Sequence, residues 1–85
     1  MESNYVVVAM SDGQNDAQVL YIDDLDKVEN VIQYHAEKYR LFLHSLLGKR
    51  YAIEYQTINE YHRVAIITDV SDIYRNVLHF FIHKL

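Results

Sequence analysis

Leu25, Val28, Ile32, His35, Tyr39, Phe42 and Leu46 recur at alternating spacings of three and four until Gly48. That period is the mark of an amphipathic helix of about 22 residues, because positions three and four apart share one face. Asp23 or Asp24 is placed to cap its start, and Asp26 and Glu29 fall in the first turns, where the macrodipole favours negative charge. A glycine just past the last periodic residue ends such a helix in a left-handed cap.

Strand-like runs flank this helix on both sides. Residues 5 to 10 and 18 to 22 are β-branched and aromatic, and the stretch between them carries Asp12-Gly13 and Asn15-Asp16, which reads as a hairpin with a longer loop. A second hairpin runs through residues 51 to 58, a turn at Asn59-Glu60, and residues 61 to 68. Asp69 or Ser71 then caps a second helix extending to about the C-terminus. The expected fold is α+β with the order ββαββα in a single domain over residues 1–85. A four-stranded, mainly antiparallel sheet carries one long and one shorter helix packed on it. The first and fourth strands are apolar on both faces, as interior strands are, whereas Glu54 and Gln56 give the third a polar face suited to an edge.

A chain of 85 residues builds one modest core, and the absence of cysteine leaves neither disulfide nor thiolate metal site to reinforce it. No run approaches a membrane span and the first ten residues lack the basic start of a signal peptide, so a cytoplasmic location is expected. The net charge of −4 opposes nonspecific nucleic-acid binding.

The apolar surface exceeds what one sheet contact covers. A helix of about 22 residues is roughly 33 Å long against about 20 to 26 Å for its strands, so Phe42, Leu43, Leu46 and Leu47 overhang. On the expected second helix, Ile73, Tyr74, Val77, Leu78, Phe80, Phe81, Ile82 and Leu85 span an arc of roughly 200°. These features point to a homodimer whose interface draws on Phe42, Leu43, Leu46, Leu47, Leu78, Phe81, Ile82 and Leu85. The alternative wedges the second helix between the sheet and the first. On the far side of the long helix, Tyr34 and Leu41 form a small anchor for a partner.

No catalytic constellation emerges. His79 and His83 are spaced i, i+4, which on a helix lets two imidazoles reach one metal, but two ligands do not complete a site. Asp23, Asp24 and Asp26 have a sufficient role at a helix start, and the loop with Asp12, Asn15 and Asp16 lacks calcium-loop spacing. Ser3, Ser11, Ser45 and Ser71 lie in no nucleophile elbow, and His35 on the apolar stripe reads as a core or interface histidine. Neither metal nor cofactor is expected.

The functional expectation is a small, acidic, non-enzymatic module that binds a protein partner as an inhibitor or regulator. Tyr34 and Leu41, or the acidic cluster Asp23, Asp24, Asp26 and Glu29, would face that partner. By size and charge alone this is the profile of phage antagonists of host defence, anti-CRISPR proteins among them. The alternative is a nucleic-acid-binding regulator using Lys38, Arg40, Lys49 and Arg50 with Tyr51, Tyr55 and Tyr61 as stacking rings. A small enzyme or ligand sensor comes third.

Overall fold

The computed structural model describes residues 4–11, 17–69, 71 and 75–85. The elements are β1 (Tyr5–Ser11), β2 (Ala17–Ile22), α1 (Val28–Leu47), β3 (Ala52–Asn59), β4 (His62–Thr68) and β5 (Arg75–Lys84), with a 3-10 turn at Leu25–Lys27 leading into α1. All five strands join one antiparallel sheet in the order β2-β1-β5-β4-β3, and α1 lies on one face. Each hairpin therefore places its inner strand, β1 or β4, beside β5.

The long helix forms where its period and caps put it. The Asp24 carboxylate accepts from the Asp26 backbone N–H at 3.2 Å, starting the 3-10 turn. At the other end Gly48 adopts φ 69° and donates its N–H to the His44 carbonyl at 2.8 Å. The buried stripe is rotated from the expected one: Val28, Ile32, Ala36 and Leu43 are buried, while Leu25, Phe42 and Leu46 are exposed.

The expected second helix is a strand, which corrects the fold to five strands and one helix in place of four strands and two helices. Asp69 does organise its local backbone, but as a turn: its carboxylate accepts from the Ser71 N–H and hydroxyl, each at 3.0 Å. Such side-chain turns use the same residue types as helix caps. Along β5, Leu78, Phe80 and Ile82 are buried toward α1, while Val77, His79 and Phe81 turn to the other face and remain half-buried. The wide apolar arc read as a helix was a two-faced central strand. Ile73 and Tyr74, assigned to that helix, lie outside the described residues, as does the loop with Asp12, Gly13, Asn15 and Asp16.

The core sits between α1 and the sheet, with Phe80, Ile32, Ile67, Val7 and Val28 the largest fully buried side chains. One long-range tie fixes the start of the helix: Arg63 of β4 donates Nε–H to the Glu29 carboxylate at 3.1 Å and Nη1–H to the Glu60 carbonyl at 2.8 Å. Of the five strands, β3 comes closest to the α1 backbone.

Candidate functional site: a groove between an edge strand and the helix

A groove of about 660 Å³ opens between α1 and β2. On the helix side it is lined by Lys27, Asn30, Val31, Tyr34, His35 and Lys38, a run of threes and fours that marks one helical face. On the sheet side it is lined by every residue from Gln18 to Ile22. Side chains of a strand alternate between faces, so five consecutive lining residues mean that the groove follows the backbone edge of β2 itself. That edge has no neighbouring strand, and the Ala17–Ile22 sequence contains neither charge nor proline, two devices that usually blunt an exposed edge.

Two smaller cavities of about 210 Å³ each continue from Gln18 and His35, one toward Tyr39 and Phe42, the other toward Ser11 and Leu78. His35 is thus the junction. Its ring meets Phe80 edge-on at 5.8 Å, and burial, followed by the nearby Lys38 ammonium, pushes its pKa below the ordinary histidine value. The imidazole is therefore neutral near pH 7, able to donate from one nitrogen and accept at the other. The Ser11 hydroxyl is buried with no hydrogen-bond partner among the described residues. Ser11 and His35 line one cavity, and among the described residues no carboxylate lines it with them.

Among the described residues no carboxylate lines the main groove either. Lys27 is paired with Asp23 at 3.7 Å, and Lys38 stands over His35 on the helix face. The combination of an apolar floor, an open strand edge and cations on the rim suits an extended peptide carrying an acidic group.

The residues singled out from sequence distribute unevenly. Tyr34 is 72% exposed on the groove rim, whereas Leu41 is exposed beyond the groove. Three carboxylates of the acidic cluster are engaged internally, Asp23 with Lys27, Asp24 as the cap over the Asp26 N–H, and Glu29 with Arg63. Of the expected dimer residues, Leu43, Leu78 and Ile82 belong to the core; Phe42, Leu46, Leu47 and Leu85 are exposed, and Phe81 sits on the opposite sheet face.

The basic set does not form one patch. Lys38 and Arg40 are two residues apart, about 200° around the helix. Arg40 donates twice to the Glu37 carboxylate, at 2.9 and 2.7 Å. The Lys49 carbonyl meets His44 Nδ1 at 2.8 Å, and Arg50 is exposed in the following segment.

The tyrosines of the second hairpin separate too: Tyr51 is buried in the core, Tyr55 lies against α1, and Tyr61 belongs to the turn. Burial, and then the Glu37 carboxylate, raise the Tyr55 pKa. His79 and His83 are on a strand, where four residues span about 13 Å, so they cannot share an ion. His79 instead meets His62, with Nδ1 and Nε2 3.2 Å apart. Among the described residues no helix is long and apolar enough to cross a membrane. No known family model, curated protein or solved structure matches the chain.

Proposed function

We propose that this chain is a non-enzymatic protein-binding module, an inhibitor or regulator that engages its partner by adding one of the partner's strands to the free edge of β2. The observation that carries this reading is the groove that follows the β2 backbone beneath the Val31, Tyr34 and Lys38 side chains. Strand addition takes affinity from main-chain hydrogen bonds along the edge and specificity from pockets for alternate side chains. Here the pockets at His35 accept apolar side chains, and Lys38 favours an acidic residue at one end. The dispersed cations and separated tyrosines give the nucleic-acid alternative less support.

A displayed library of random peptides, panned against the full chain, tests the reading. Selected peptides should alternate apolar with polar residues, and Tyr34→Asp or Lys38→Glu should weaken them by about tenfold, the worth of roughly 1.4 kcal/mol. If no peptide is selected and the chain binds RNA or DNA at micromolar concentration in physiological salt, dependent on Lys38, Arg40, Lys49 and Arg50, the reading is wrong.

A further inference from the structure

The sheet face turned away from α1 has no element packed on it among the described residues, and the side chains at its middle shield one another, leaving Val64 buried and its neighbours there half-buried. Register places Val6 and Val8 of β1, Val77 and Phe81 of β5, and Val64 and Ile66 of β4 on it. No Asp, Glu, Lys or Arg holds an outward position from 6 to 10, from 62 to 66 or from 77 to 83. Charge returns only at the margin, with Glu54 on β3 and Arg75 at the start of β5.

The face has a centre. β5 is the third of five strands, and Phe81 lies opposite Val8 on one side and His62 on the other. The His62 ring stacks on Phe81 at 4.5 Å with an interplanar angle of 23°, and His79 lies parallel to it at 6.0 Å. An aromatic centre within an apolar field, with polar residues at the β3 margin, fits the anatomy of a protein interface.

Five strands at about 4.8 Å and strands of about 20 to 26 Å give the whole face a footprint of roughly 500 Å², of which β1, β5 and β4 make up about 300 Å². An apolar patch of that size is often functional, and two whole-face footprints reach the roughly 1,000 Å² at which specific interfaces begin.

We infer that a second copy of this chain covers this face, packed sheet against sheet about a two-fold axis that passes close to Phe81. Two-fold contact requires a patch that complements itself, which a face with a central ring and no Asp, Glu, Lys or Arg around it does. A chain of net charge −4 meets its own copy with least repulsion where carboxylates are kept off the contact, as they are here. The inference rests on β1, β5 and β4 and not on the α1 wall of the peptide groove, although Val19 and Tyr21 of β2 border both surfaces.

Sedimentation equilibrium of the full chain from about 1 to 100 μM, in the affinity range where a standard interface of this size operates, tests it. The wild type should sediment at twice the 10.1 kDa chain mass. Phe81→Glu should sediment as a monomer with unchanged circular dichroism, and Leu46→Glu, on the exposed helix end, should remain a dimer. Should Phe81→Glu fail to fold, cross-linking decides: the chain has no cysteine, so Val8→Cys should be joined to its copy by a bismaleimide of about 10 Å, the spacing of packed sheets, and Leu46→Cys should not. A wild type that stays monomeric, or a dimer that Leu46→Glu breaks while Val8→Cys does not cross-link, overturns the inference.

Discussion

The His35 imidazole meets the Phe80 ring edge-on with centroids 5.8 Å apart, joining the helix to the most deeply buried side chain of the central strand. Burial and Lys38 both disfavour the charged imidazole, so its folded-state pKa lies below the unfolded value near 6.5. The unfolded chain then binds the extra proton first as pH falls. His35 consequently contributes stability that is full above about pH 6.5 and is lost as pH drops from there toward the folded pKa. Urea unfolding at pH 7.5 and 5.5 should show lower stability in acid, and His35→Leu should reduce that difference. An equal pH dependence in the variant would remove His35 as a cause.

Large apolar side chains of the core and of the exposed helix end should behave oppositely. Phe80 is fully buried toward α1, whereas Phe81 faces away. Phe80→Ala should cost about 3 to 5 kcal/mol, a large fraction of the roughly 5 to 15 kcal/mol that holds a small domain. Leu46→Ala, on the 65% exposed helix end, should cost under about 0.5 kcal/mol. Denaturant midpoints of the two variants measure this directly.

Arg63 joins the β3–β4 turn to the first turn of α1 through Glu29 and the Glu60 carbonyl. The Arg63 side chain is 20% exposed and that of Glu29 is 58% exposed, so the ion pair itself is largely screened. Arg63→Met should therefore cost about 1 to 2 kcal/mol, mainly by stripping donors from the turn carbonyls, and Glu29→Gln less than about 1 kcal/mol. Equal losses in urea titrations would place the stabilisation in the ion pair instead.

Gly48 holds φ 69° with open space where a Cβ would stand. Gly48→Ala should lower stability by about 1 kcal/mol through backbone strain alone, with no clash to relieve. A neutral result in thermal unfolding would show that the cap relaxes.

Local chemistry was legible and long-range pairing was not. Asp24, the periodic run from Val28 and Gly48 specify α1 through contacts within a few residues, so the helix could be read from the chain. The segment 75–84 could not be read in the same way. Leu78, Phe80 and Ile82 face the core while Val77 and Phe81 face the other side, and a strand apolar on both faces presents the same continuous hydrophobicity as a buried helix. Asp69 and Ser71 added a cap signal that in fact closes a turn. The groove was missed for a related reason. Residues 17–22 lack charge and proline, a visible sign of an unprotected edge, but only the insertion of β5 between the hairpins makes β2 that edge. The exposure of Tyr34, by contrast, follows from helix phase alone.

Amide hydrogen exchange, resolved by residue, tests the strand-addition reading most directly. A strand edge without a neighbour leaves outward N–H groups open to water, and a docked peptide strand must pair with them. The account predicts that a saturating selected peptide slows exchange at alternate amides of residues 17–22 and shifts the resonances of Tyr34 and His35. Protection that appears elsewhere, with residues 17–22 exchanging as in the free chain, would contradict it.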